Sequence, residues 1–195
     1  PDRVLASMAR PMPNMYAGDI VRITNEIFAE LPVVAGTAGH PFIVIGNGHA
    51  AWQMAISNTL SAGDKVLVLV FGRFGHLLAE IARRARAEVV TLETEWGTVI
   101  ETGRIEEAIR RERPKVVASC QGDTSTTILH PLAEIGALCR MHDALFYVDC
   151  TASLAGNPFE TDAWQIDISS AGLQKCLSGP PGSAPITFNE RAALV

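Results

Sequence analysis

The stretch SAGLQKCLSGPPG, residues 170–182, carries one lysine, Lys175, and no other charge. It follows a strand-like run and leads into a glycine–proline turn. A lysine on so tight a backbone, with no partner beside it, is either a stray surface residue or a nucleophile. Asp149 raises the complementary question. It follows the apolar run ALFYV, so it stands at or near a buried position, where a carboxylate calls for a cationic partner. Lys175 or a bound cation could supply that charge. Other polar and small residues also follow apolar runs: Gly46-Asn47-Gly48-His49, Gly72-Arg73-Phe74-Gly75, the segment QGDTSTT at 121–127, Thr151, and Gln174 ahead of the lysine.

Each of these has an ordinary reading. GNGH is a plain strand-to-helix turn, or a cradle in which glycines let the backbone approach an anion and helix N–H groups face it. QGDTSTT is a loop rich in helix-capping residues. Phe74 is a core side chain, or a platform for a flat ring. Together they describe one ligand, with a phosphate at one end, a flat ring, a cationic ring nitrogen and an aldehyde near a lysine. That ligand is pyridoxal 5'-phosphate, which takes from its protein a Schiff-base lysine and an aspartate beside the pyridinium. A dinucleotide fits less well, because GNGHAA lacks the third glycine of the Gly-x-Gly-x-x-Gly spacing and needs no lysine.

The elements that must hold these residues alternate along the chain. PFIVIG, KVLVLVFG, VVTLET, KVVASC and ALFYVDC are short apolar runs, and QIDISSAG and APITFN look like two more strands. Between them HAAWQMAISNTLSAG, RFGHLLAEIARRARAE, GRIEEAIRRERP and PLAEIGALCRMHD have helical spacing. The expected fold class is α/β, a mostly parallel sheet with helices on both faces, whose ligand sits at the carboxyl ends of the strands. Residues 1–35 are expected to form a separate N-terminal segment with one amphipathic helix, AGDIVRITNEIFAELP, and residues 36–195 the ligand-binding domain. From the opening at Pro1 and the ending NERAALV, inside a helix start, the chain is expected to be a fragment.

Composition narrows the function classes. Of 195 residues, 48% are hydrophobic and 19% charged, which is globular composition. The formal net charge of −5 disfavours a nucleic-acid surface. The basic clusters RRARAE and IRRERPK end helices, where cations suit the helix dipole. No apolar run reaches membrane-spanning length and no secretory signal opens the chain, so no membrane partner and a cytoplasmic location are expected. Cys120, Cys139, Cys150 and Cys176 lack the close spacing of a metal or redox motif, and no metal site is expected.

In GNGHAAWQ, VFGRFGHLLAEIARR, QGDTSTT, YVDCTASLAGNP and SAGLQKCLSGPPG, taken in that order, the chain resembles the class V aminotransferases of fold type I. The resemblance runs over the whole chain, with the glyoxylate aminotransferases as the nearest group. It implies that Lys175 binds the cofactor's aldehyde and that Asp149 pairs with the ring nitrogen. Asn47, Gly48 and His49 would meet the phosphate side, helped by Gln174. Phe74 would stack on one face of the ring, where many relatives have Trp, and Thr151 would lie against the other. Thr124 would bond near the ring hydroxyl, where relatives have Ser. The resemblance also implies a homodimer, and a C-terminal small domain outside this chain that carries the arginine for the substrate carboxylate.

The reaction so implied moves an amino group from a small amino donor to glyoxylate. VFGRFGHLL, QGDTSTT and AGLQKCLSGPPG look most like the ureidoglycine–glyoxylate enzymes of purine breakdown. PNMYAGDI through GNGHAAWQMAISNTL looks closer to alanine– or serine–glyoxylate enzymes. Two readings of other kinds stand beside this one. The chain could be a folded but inactive fragment or homologue. It could also be a cysteine desulfurase-like lyase using Cys176, although direct neighbours such as Lys175 and Cys176 tend to point apart.

Overall fold

The computed structural model describes residues 1–195. Seven strands form one sheet: β1 (His40–Ile45), β2 (Lys65–Val70), β3 (Glu88–Glu93), β4 (Val116–Cys120), β7 (Leu145–Asp149), β8 (Ile168–Ser170) and β9 (Ser183–Phe188). A two-residue hairpin, β5 (Gly122–Asp123) with β6 (Ile128–Leu129), stands apart from it. The strand order is β1-β9-β8-β7-β4-β2-β3. Only β9 runs against the rest, pairing antiparallel with both neighbours. Its reversal follows from the connection before it. Parallel neighbours need a long crossover, usually a helix, and the 171–182 loop contains only turns.

The helices are α1 (Asp2–Met8), α2 (Asp19–Ala35), α3 (Gly48–Thr59), α4 (Arg73–Arg84), α5 (Thr102–Glu112), α6 (Leu132–Met141) and α7 (Glu190–Ala193). The strand KVLVLV shows why the sheet needs cover on both sides. Val66, Val68 and Val70 join the core under α3 and α4, while Leu67 and Leu69 join the core under α5 and α6. A strand apolar at every position is buried on both faces, as the continuous runs predict. The basic clusters do close helices, with Arg83 and Arg84 in the last turn of α4 and Arg110 and Arg111 in that of α5. The α2 helix ends at Gly36, whose φ of 61° is the left-handed conformation that glycine adopts readily. Most of α1 and α2 is exposed. No helix is long and apolar enough to cross a membrane.

Because β1, β2, β4, β7 and β8 point the same way, their carboxyl ends open on one edge of the sheet. From these ends emerge the loops that the sequence marked for chemistry.

Candidate active site

A cavity of about 200 Å³ lies on that edge. Asn47, Gly48, His49, Phe74, Thr124, Asp149, Thr151, Gln174 and Lys175 all line it, together with Trp52, Gly122 and Ala152. Residues from five separate stretches thus meet around one space. A wider crevice, of about 1060 Å³, lies at the opposite edge. Its lysines are spent on structure there: Lys65 pairs with Glu88 and Glu112, and Lys115 with Asp64. The chain has only three lysines. Lys175 is the one without an ion pair, and it faces the smaller cavity.

Helix α3 aims its amino end at this cavity. Asn47 is its N-cap, with Oδ1 accepting from Ala50 N at 3.2 Å, so its side chain serves the helix. Gly48 follows. A Cβ there would stand 3.0 Å from Thr151 Oγ1, a contact tight enough that the Thr151 side chain would have to shift.

Helix α4 delivers Phe74, and its amino end is held from a distance. Asp123, buried in the β5 strand, accepts from Phe74 N at 2.8 Å and from Ser125 N and Oγ. Ser125 Oγ in turn accepts from Arg73 N at 2.9 Å. The helix's own N-cap position is Gly72, which has no side chain to do this. A Cβ on Gly72 would come within 2.3 Å of the Asp123 carboxylate. QGDTSTT is therefore a capping loop, but the helix it caps is α4, 49 positions earlier in the chain.

Asp149 ends β7 and is 4% exposed. Within the chain its bonds come from neutral donors, and Lys175 forms no ion pair with it. Oδ1 accepts from Trp52 Nε1 at 2.8 Å, from Thr151 Oγ1 at 2.6 Å and from Thr151 N at 3.4 Å. Thr151 thus spends its hydroxyl on the carboxylate. Oδ2 has no protein donor. Burial pushes the Asp149 pKa up, against the bonds from Thr151 and Trp52 and the charge of His49, which pull it down. Around it Cys120, Tyr147 and Cys150 are pushed well up, first by burial, and stay protonated. The site is thus an open acceptor oxygen on a buried aspartate, a lysine without an ion pair and a helix amino end around one cavity. Pyridoxal phosphate fits this donor set. Oδ2 lacks only a donor such as a ring N–H, and the α3 N–H groups suit a phosphate.

Residues 20–192 match the model of the aminotransferase class-V family. The chain belongs to the class-V aminotransferases. It is 41% identical to the (S)-ureidoglycine–glyoxylate transaminase of Bacillus subtilis (strain 168), over 99% of this chain and 47% of that protein. It is 36% identical to the alanine–glyoxylate aminotransferase of Drosophila melanogaster, over 97% and 49%. The crystal structure of the ureidoglycine–glyoxylate aminotransferase from Bacillus subtilis superposes with a TM-score of 0.95, covering 98% of this chain and 50% of that one. The chain spans about half the length of the relatives it matches.

Within this aminotransferase domain Trp52, Gly122 and Ala152 on the cavity wall and Asp123 behind it lie inside the sequence motifs, which assign them no individual role. Trp52 could have been found from spacing alone. It lies four residues after Gly48 and three after His49, which on a helix is the same face. Cys176 is not part of the cavity wall, and its Sγ donates to Ala152 O at 3.2 Å.

Proposed function

We propose that this chain carries the pyridoxal-phosphate site of an aminotransferase that passes an amino group from a small amino donor to glyoxylate, ureidoglycine being the favoured donor. The observation that carries the reading is the meeting of Lys175, the open Oδ2 of Asp149 and the amino end of α3 around one cavity. When bound, the cofactor supplies an aldehyde that captures the donor's amino group and a protonated ring that takes up electrons from the donor's Cα–H bond. Lys175 Nζ would hold that aldehyde carbon, and as a free amine it would carry the proton of the donor's Cα. Asp149 Oδ2 would accept from the ring N–H and favour its protonated form, because a nearby anion favours the charged state. The α3 N–H groups with Asn47, Gly48, His49 and Gln174 hold the phosphate end. Phe74 would cover one ring face, Thr151 would border the other, and Thr124 would lie on the ring hydroxyl side.

The donor is proposed from the relatives. The higher identity is to an enzyme named for ureidoglycine, and the alanine–glyoxylate enzyme is the second reading. A homodimer, which the resemblance implies, belongs to the same proposal, as do the division at residue 35 and a cytoplasmic setting, which rest on the pattern of the chain.

The test uses the purified full-length protein loaded with pyridoxal phosphate. Ureidoglycine, alanine and serine are supplied singly without acceptor, and loss of the cofactor's aldehyde absorption is timed. Ureidoglycine is expected to convert it fastest. Lys175→Ala is expected to keep part of the cofactor affinity and lose turnover, and normal turnover by that variant would overturn the assignment. Cofactor binding with no conversion by any donor would favour an inactive homologue.

A further inference from the structure

We propose that Trp52 is a positioning residue for Asp149: with Thr151 it occupies Oδ1 and so dedicates Oδ2 to the cofactor's ring nitrogen. The inference rests on the pyridoxal-phosphate reading above.

A carboxylate at the end of a strand can rotate and offer either oxygen. Here one oxygen takes three donors and the other takes none from the protein. The indole N–H is a donor only and cannot change roles as a hydroxyl can. It sits 2.8 Å from Oδ1, on a side chain that is 2% exposed, so water does not compete for it. Thr151 alone would leave the carboxylate hanging from its own loop. Trp52 ties it to a different element, 97 positions away.

That element is α3, whose first turn faces the cavity's phosphate end. Gly48 and Trp52 are one turn apart on the same face. One rigid helix thus sets the distance between the groups that hold the two ends of the cofactor, which is how a site is kept in register. The indole is itself wedged. Its ring meets His49 edge-on at 4.7 Å and Phe74 at 6.4 Å with the planes at 90°. Trp52 therefore touches the phosphate side, the ring-stacking residue and the carboxylate at once. Donors on Oδ1 also favour the ionised acid, in the direction opposite to burial.

The test is made on the full-length protein with ¹⁵N-labelled tryptophan, with and without pyridoxal phosphate. The chain has three tryptophans, and Trp96 and Trp164 serve as controls. The Trp52 indole cross-peak, assigned by its loss in Trp52→Phe, is expected far downfield and slow to exchange. Asp149→Asn and the addition of pyridoxal phosphate should each move it and leave the controls in place. In a second arm, 3-benzothienylalanine replaces Trp52, keeping the shape and removing the N–H. Cofactor affinity should then fall about tenfold, in line with a hydrogen bond to a charged group, with the melting temperature nearly unchanged. An indole signal blind to Asp149→Asn, or an analogue that binds the cofactor as tightly as the unmodified protein, would overturn the role of Trp52 alone. An unmodified protein that binds no pyridoxal phosphate would overturn both this role and the reading beneath it.

Discussion

Asp149 closes β7 at one edge of the sheet, and Asp167 stands just ahead of β8 at the opposite edge. Both are buried, at 4% and 0% exposure. Asp167 is compensated in full by the chain itself. Its oxygens accept from Phe146 N at 2.8 Å, from Asn189 Nδ2 at 2.9 Å and from Arg191 Nη1 at 2.9 and 3.1 Å, and Arg140 stands 3.6 Å away. It fastens α7 and α6 to the centre of the sheet. Asp149 has no guanidinium or ammonium partner, and one of its oxygens is left open. Burying a carboxylate without a cation is costly. Asp123, 1% exposed, has no cation either, but both of its oxygens are bonded within the chain, Oδ2 by Phe74 N and Oδ1 by Ser125. A structural carboxylate has both oxygens occupied by the chain, and a functional one leaves an oxygen free.

The largest effect expected from breaking this contrast is on the open side. Asp149→Asn keeps an acceptor for Trp52 and Thr151 but puts an amide where the ring N–H must bond. Turnover should fall about 10³-fold, the scale of losing one electrostatic stabiliser of a reacting centre. The cofactor-free protein should melt no lower than the original, since a buried, unpaired charge has gone. A clear drop in its melting temperature would show that Asp149 is compensated after all. Asp167→Asn should do the reverse. It leaves Arg191 without its buried partner and should cost about 3 kcal/mol in chemical denaturation. Affinity for pyridoxal phosphate, measured by titration at a temperature where the variant is folded, should stay the same. A loss of affinity matching that of Asp149→Asn would erase the distinction between the two edges.

The same contrast marks what was legible in the sequence. The alternation of strands and helices follows from runs such as KVLVLV and from the helical spacing in RFGHLLAEIARR, so the sheet and its two covers could be read locally. The nine marked residues converge because each follows a strand of the parallel set, and the carboxyl ends of such strands share an edge. The pairs that make the site work were not legible. Trp52 meets Asp149 across 97 positions, and Asp123 caps a helix 49 positions back. On an amphipathic helix an indole reads as core, and nothing local shows where its N–H will point. The hairpin of β5 and β6 is two residues per strand, too short for any alternation to register. The reversal of β9 depends on its connection rather than on its own residues. For Asp149 the sequence called for a cation, and within this chain the structure supplies neutral donors.

His130 sharpens the comparison by a third route, burial without charge. It is 5% exposed and stacks on Phe71 with ring centres 3.6 Å apart. Ser119 Oγ donates to Cys120 O, so the consistent tautomer has His130 Nδ1–H donating to Ser119 Oγ at 3.2 Å. Nε2 then accepts from Ile100 N at 3.5 Å. A second proton on Nε2 would face that N–H, and burial lowers the pKa from 6.5 to about 4. The folded protein therefore resists a proton that the unfolded chain accepts. Stability from this group is complete above pH 6.5 and is lost as pH falls toward 4. Between pH 7 and pH 5 the loss from His130 should be about 2 kcal/mol. The carboxylates add their own pH dependence to any such curve, so the quantity to read is a difference. His130→Gln should be less stable than the original at pH 7, and the gap should narrow by about that amount at pH 5 in urea denaturation. Curves that stay parallel over this range would mean that His130 takes up its proton inside the fold. Burial by neutrality would then fail as a third solution beside the paired aspartate and the open one.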